Sequence, residues 1–190
     1  MTKKVFWLIV TIIIALLVFV FAFYKLGLQD EILKLFYKTD YKQYVEKYSE
    51  EYDVDKYLIY ALIKNESNFK NDATSNKKAK GLMQIIDSTA NEVAQNIQIE
   101  HSEIDLYHEE TNIKIGTKYL SQLLEKYDSY LLAIAAYNAG IGNVDSWIEK
   151  GTIKSDGSNL ENIPYPETNH YVRKVARDYD IYKEIYRSDV

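Results

Sequence analysis

Glu66 stands inside Ala61-Leu62-Ile63-Lys64-Asn65-Glu66-Ser67-Asn68-Phe69, and its place there says more than its type. Leu58, Leu62 and Glu66 recur every four residues, so they share one side of a helix. At about 100° per residue, Glu66 projects near Ile59 and Leu62, while Lys56, Tyr60, Lys64 and Ser67 form the polar side. A carboxyl group so placed is partly desolvated, which raises its pKa and keeps it protonated near neutrality. That is what a general acid acting on an acid-labile bond requires. On this helix alone the ordinary reading is the stronger one: a helix-end Glu that reaches solvent or pairs with a lysine.

Three further segments reverse that balance. Ser75 is followed six residues later by Gly81-Leu82-Met83-Gln84. Then come Ala136-Tyr137-Asn138-Ala139-Gly140 and Ile163-Pro164-Tyr165-Pro166-Glu167-Thr168-Asn169-His170-Tyr171-Val172. Singly, each has a plain explanation. Gly140 could be a left-handed helix cap, Gly81 a turn, Gln84 a solvated amide and Tyr171 a packing residue. None of these readings accounts for the order and spacing of the set.

The elements that must position these residues are mostly helical. Tyr41, Tyr44, Val45, Tyr48 and Tyr52 follow helical spacing and read as an amphipathic packing face. Asp53 or Asp55 caps the next helix, which runs to about Ser67. Asn71 to Lys80 reads as an exposed loop, and Asp87 or Ser88 caps a helix through about Gln95. Ile113, Gly116, Leu120, Leu123 and Leu124 mark a helix over Glu109–Tyr127, and Ser129–Ala139 is apolar enough to be the centre of the core. Gly140-Ile141-Gly142 breaks that helix, Asn143–Lys150 forms another, and Glu167–Tyr186 closes the domain. Only the loops around 71–87 and 150–166 leave room for a small sheet.

The chain begins with an uncharged stretch, Val5 to Phe23, which at about 1.5 Å per residue reaches roughly 28 Å, close to the hydrocarbon thickness of a bilayer. Lys3 and Lys4 precede it, so the positive-inside rule leaves the N-terminus in the cytoplasm and everything after Lys25 outside. A cleaved signal peptide is the competing reading. Its apolar core would be shorter, and Ala22-Phe23-Tyr24 is a poor cleavage site, which favours an uncleaved anchor. The organisation is therefore an anchor over 1–24, a stalk over 25–40, helical around Glu31–Phe36, and one helical domain over 41–190.

There is no cysteine, so the domain relies on its core without disulfides, and thiolate metal sites are excluded. His101, His108 and His170 have no metal-binding spacing and read as surface residues. A net charge of -5 argues against a nucleic-acid partner held by charge. The 18 tyrosines suit packing and sugar binding alike, each offering a flat face with a hydroxyl at its edge.

In those four segments, taken in order, the sequence resembles the soluble-type lytic transglycosylases, whose SLT domain shares its fold with goose-type lysozyme. The resemblance covers about residues 41–186. It implies a mainly α (α+β, lysozyme-like) fold, with Glu66 as the single catalytic acid/base and Ser75, Gln84, Tyr137, Asn138 and Tyr171 lining the cleft. Ser75 and Tyr137 would supply hydroxyls near the carboxyl group, Gln84 and Asn138 would meet a sugar acetamido group, and Gly81 would let backbone approach the substrate. The implied substrate is the peptidoglycan strand, cleaved between N-acetylmuramic acid and N-acetylglucosamine without metal or organic cofactor. Asp87 stands where the family often has proline and Lys78 replaces a common glycine, which leaves the chemistry intact and the cleft's shape open. Asn65-Glu66-Ser67 also matches a glycosylation triplet, a coincidence on a buried helix.

Two alternatives remain at this level. A muramidase on the same fold would want a second carboxylate on the order of 6.5–9.5 Å from the first. Goose-type lysozymes place an Asp two residues after the motif glutamine, where this chain has Ile86, leaving Asp72 and Asp87 as substitutes. An inactive, membrane-tethered wall-binding protein is the other, and a pure binder need not keep the acid. The anchor over 5–23 would hold the site near the membrane face of the wall, for local remodelling or for opening a passage for a larger envelope assembly that the sequence does not identify.

Overall fold

The computed structural model describes residues 2–187, the side chain of His101 excepted, so the surface placement read for His101 lies outside the described residues, as do 188–190. The chain forms two units, Met1–Lys38 and Thr39–Val190. In the first, α1 (Lys3–Lys25) buries none of its residues, has a mean hydropathy of 3.1 and is long and apolar enough to cross a membrane. After Gly27, whose φ of 64° turns the chain, α2 (Leu28–Lys34) is a short helix beginning three residues before the segment read from sequence.

The second unit is built from α3 (Lys42–Tyr52), α4 (Lys56–Glu66), α5 (Asp87–Asn96), α6 (Glu109–Lys126), α7 (Tyr130–Ala139), α8 (Ile141–Glu149) and α9 (Pro166–Ile185). No strand forms among the described residues. The 71–87 loop carries only isolated antiparallel bridges, Thr74 with Lys80 and Lys80 with Ile85. Turn hydrogen bonds such as those from the Ser75, Lys78, Gly81 and Gln84 amides hold the rest of the loop without a sheet.

Two helices make the centre. In α7 the residues Leu132–Ala136 are buried, as its apolar sequence implies. In α4 every residue from Tyr57 to Ile63 is buried, which corrects the expectation of a polar side. Tyr60 is 2% exposed and Ser67 is buried, because α9 and α3 pack over that face. Asp55 caps α4 by accepting from the Tyr57 amide at 2.8 Å, and also accepts from the Tyr179 hydroxyl on α9. Asp87 does not cap α5. It lies in the first turn, and its carboxylate instead takes Lys80 Nζ at 2.7 and 2.9 Å.

Several tyrosines serve the core. Tyr57, Tyr186, Tyr182 and Tyr60 form a run of stacked rings between α4 and α9, with centroids 5.6–6.3 Å apart. Rings so placed add directional attraction to the area they bury. The same two helices share a buried ionic joint. Asp178 of α9 is fully buried and accepts from Lys64 Nζ at 2.9 Å and from Asn65 Nδ2 at 3.0 Å, while Arg177 reaches its other oxygen at 3.1 Å. A carboxylate taken out of water is tolerable only with such partners, and removing it strands a half-buried ammonium.

Gly140 divides α7 from α8. Its φ of 87° with ψ of 147° belongs to a region that essentially only glycine occupies, so it is not the left-handed cap but a sharper turn. The chain re-enters a helix at once, at Ile141, two residues earlier than the glycine pair implied, and Gly142 lies inside α8.

The Asp178 joint should carry measurable stability. Asp178→Ala in the full chain, held in detergent, is expected to lose about 3 kcal/mol in urea unfolding, whereas the exposed Glu50→Ala changes stability by less than about 0.5 kcal/mol. Equal, small losses would mean that the joint contributes nothing.

Candidate active site

Glu66 is the last residue of α4. The chain leaves it through Asn68 and Phe69, both at positive φ, and the Phe69 ring anchors the turn against Tyr60. This puts the carboxyl at the negative end of the helix dipole and at the floor of a cleft, with part of the residue open to it. Burial pushes its pKa from the ordinary 4.5 up to about 7, and a hydrogen bond from Tyr171 pulls it partly back. The Tyr171 hydroxyl donates directly to Glu66 Oε1, across the α4–α9 interface. Burial first, and the neighbouring Glu66 charge second, hold the Tyr171 and Tyr137 phenols well above their usual pKa, so both remain donors.

The main cleft has a volume of about 650 Å³, and its lining brings together Glu66, Ser75, Gln84, Tyr137 and Asn138. It continues past Glu66, Ser75 and Gln84 into a hollow of about 450 Å³ beside Asn68, Thr74 and Lys174. On the other side, a hollow of about 330 Å³ joins it at Asn138 and Glu167 and is bounded by Tyr165 and Thr168. The end of the 150–166 loop thus borders one end of the cleft.

Four polar side chains in this lining, Tyr137, Gln84, Asn138 and Ser75, have part of their bonding capacity taken up by the fold. Tyr137 gives its hydroxyl to the Met83 carbonyl at 2.8 Å, not to the carboxyl group, while the residue lines the cleft. Gln84, itself at φ 49°, gives Nε2 to the carbonyls of Gly81 (2.9 Å) and Ala73 (3.2 Å), which leaves its oxygen as the group for a ligand. Asn138 accepts from Thr168 Oγ1 at 2.8 Å, which leaves its amide N–H groups. Ser75 accepts from the Ala79 amide at 3.1 Å and so closes its own loop. Tyr171 is a partner of the acid and not part of these cavity walls.

Gly81 is needed for a reason internal to the domain. A Cβ there, already strained at φ 73°, would sit 2.1 Å from the Leu106 carbonyl and 2.3 Å from Asn112 Nδ2. This close approach is within the domain itself. Asn112, fully buried, donates to the carbonyls of Lys80 and Leu106 and accepts from the Met83 amide, so one side chain fastens the whole loop under Gln84.

Among the lining residues that the sequence reading did not single out are Tyr119 and Glu167. Tyr119 packs on Tyr137 with ring centroids 5.3 Å apart. It lies three residues after Gly116 and four before Leu123, on the packing face of α6, so its spacing reads as core. Glu167 sits in the first turn of α9, one turn before Tyr171, and borders both the main cleft and the Tyr165 hollow. It was visible within the fourth segment but had no assigned part. Asp72 does not line these cavities, and Asp87 is held by Lys80.

The chemistry open to this arrangement is proton donation by one buried carboxyl whose ionisation a single phenol adjusts. Carbon-13 titration of the Glu66 side chain is expected to give a pKa near 7. Tyr171→Phe removes a hydrogen bond to the charged form and should raise that value further. A value near that of a free Glu, or a fall in the variant, would contradict this electrostatic picture.

The chain is similar to known proteins over this same region. The family model "Transglycosylase SLT domain" matches residues 43–159. The soluble lytic murein transglycosylase of Escherichia coli K12 is 31% identical over 153 residues, 78% of this chain and 24% of that protein. The membrane-bound lytic murein transglycosylase C of Edwardsiella ictaluri is 36% identical over 115 residues, covering 55% of this chain and 32% of the relative. Among solved structures, an inactive glutamate-to-glutamine mutant of the lytic transglycosylase Slt from Pseudomonas aeruginosa matches with a TM-score of 0.74 at 30% identity, over 82% of this chain and 26% of that one. The chain spans about a quarter of the length of the soluble relatives it matches. From residue 43 onward, the helical fold and the matched segment agree: the chain belongs to the transglycosylase SLT domain family.

Proposed function

We propose that the chain is a lytic transglycosylase that cleaves the β-1,4 bond between N-acetylmuramic acid and N-acetylglucosamine in peptidoglycan. The observation that carries this reading is a single carboxyl, Glu66, buried at the cleft floor with a pKa of about 7 and a phenol donating to it. Protonated Glu66 gives its proton to the bridging oxygen as the bond to C1 of the muramic acid breaks, and the glucosamine leaves with its hydroxyl restored. The substrate's own N-acetyl oxygen supports the cationic C1, as in other substrate-assisted glycosidases. Glu66, now a carboxylate accepting from Tyr171, takes the proton of the C6 hydroxyl, and O6 closes on C1. A 1,6-anhydro ring results, no water is consumed, and Glu66 ends protonated. Its near-neutral pKa suits both halves of that cycle.

Gln84 through its oxygen and Asn138 through its N–H groups are the residues we assign to the sugar acetamido and hydroxyl groups, with Tyr119 and Tyr137 as ring surfaces. Ser75 we assign to the cleft edge, and Tyr171 to orienting and tuning the acid. The murein named for the relatives supports the substrate class.

Hydrolysis is the second reading, favoured by one observation: Glu167 is a further carboxylate in the lining. It would activate water in an inverting muramidase, a part the sequence offered to Asp72 or Asp87.

The domain assignment we favour is the anchor over 1–24, the stalk over 25–40 and the transglycosylase domain over 41–190, with the domain outside the cytoplasmic membrane and working on nearby strands, for wall remodelling or beside an envelope assembly. Lys3 and Lys4 on the N-terminal flank support that orientation.

Mass spectrometry of peptidoglycan digested by the full chain in detergent is expected to give anhydro-muramyl ends, absent with Glu66→Gln. Reducing ends abolished by Glu167→Gln would establish the muramidase instead. For orientation, the natural absence of cysteine allows single probes. A membrane-impermeant maleimide on intact spheroplasts should label Ser158→Cys and spare Thr2→Cys. The opposite pattern would invert the topology.

A further inference from the structure

The two sides of the cleft differ in charge. The main cavity carries Lys77 together with Glu167, an exposed cation and an acid in the same lining. Beyond Glu66, the 450 Å³ hollow contains Lys64 and Lys174 and no acid other than Glu66 itself. Lys64 is compensated there, since its ammonium lies 2.9 Å from the buried Asp178. Glu66 is held largely uncharged below its pKa of about 7. Lys174 pairs with no carboxylate among the described residues and is half-buried on α9, three residues after Tyr171. Around it the lining is neutral and polar, with Asn68, Thr74 and Ser75 offering hydroxyl and amide groups. A lone cation in a polar hollow that opens directly beside the acid selects an anionic group on whatever is being cleaved.

We propose that this hollow binds a carboxylate of the glycan strand, with Lys174 as the residue that recognises it. Resting on the transglycosylase reading, this gives the site a preference for strands that carry a free carboxylate over uncharged glycan. Muramic acid offers two sources of that chemistry. One is the lactyl carboxylate, free when the peptide has been removed. The other is a carboxylate of the peptide stem, present when it has not. Guanidinium in place of ammonium would preserve the interaction, whereas an apolar chain of similar length would not.

The test is binding by full-length Glu66→Gln protein in detergent, so that the readout does not depend on turnover. Three strand preparations serve as ligands: stem-bearing, amidase-stripped, and stem-bearing with its carboxylates converted to methyl amides. Lys174→Met is expected to weaken binding to carboxylate-bearing strands roughly 3- to 10-fold, with Lys174→Arg restoring it. Binding to the uncharged strands should not distinguish the variants, and Lys183→Met, outside the cleft on the same helix, should bind all three as the parent does. Loss confined to stem-bearing strands assigns the carboxylate to the peptide, and loss confined to stripped strands assigns it to the lactyl group. Equal Kd values for Lys174→Met and parent on both charged strands would overturn the proposal, as would equal weakening on charged and uncharged ones. Product analysis with the unmutated chain decides the activity separately.

Discussion

The packing of α4 against α9 is the constraint on which the rest of this domain depends. One helix brings the acid and the other brings the phenol that bonds to it, 105 residues away along the chain. Immediately before Glu66, the same pair of helices is joined again by Lys64 and Asn65 on the buried Asp178, and further back by the stacked rings of Tyr60 and Tyr182. Sliding either helix by a fraction of a turn would break all three sets together. The ionisation of Glu66 is therefore a property of a helix interface and not of a loop. Burial raises its pKa, the Tyr171 hydroxyl limits the rise, and both effects need the helices in this register.

Around that axis the cleft walls are made from side chains that face two ways. Tyr137 holds the Met83 carbonyl, Gln84 holds the carbonyls of Ala73 and Gly81, and Asn138 is held by Thr168. Each is thereby fixed in rotamer with one set of atoms left for a ligand, which lowers the entropy lost on binding. The loop beneath them is irregular but not loose. Asn112 satisfies two of its backbone groups from within the core and ties them to the Leu106 carbonyl, and Gly81 is the residue small enough to lie against it. Replacing either would disturb the cleft from behind without touching a ligand.

Much of this was legible in the sequence where the governing interactions are local. The i, i+4 spacing of Leu58, Leu62 and Glu66 gave a desolvated carboxyl, the cap of α4 was narrowed to Asp53 or Asp55, of which Asp55 serves, and four ordered segments gave the family. What sequence spacing cannot carry is the partner across space. Tyr60, Lys64 and Ser67 are polar types on one face, and they read as solvent-facing until α9 covers them and Asp178 supplies the counter-charge. Asp87 has a capping residue's composition, yet the bridge between Lys80 and Ile85 brings a lysine to it. Gly81 signalled a close approach but not its contacts with Leu106 and Asn112, and Glu167 stood in plain view with no spacing rule to set it apart from a helix-start acid.

The central claim is that one buried carboxyl, tuned by Tyr171, performs both proton transfers. Its most direct test is the pH dependence of kcat/KM for anhydro-product formation, measured for the unmutated chain and Tyr171→Phe. The free enzyme must begin with Glu66 protonated, so the rate should fall as pH rises through a single ionisation near 7. In Tyr171→Phe that alkaline limb should move to higher pH, because the lost hydrogen bond favoured the charged form. A limb near the ordinary carboxylate range, or one that stays in place in the variant, would contradict the account.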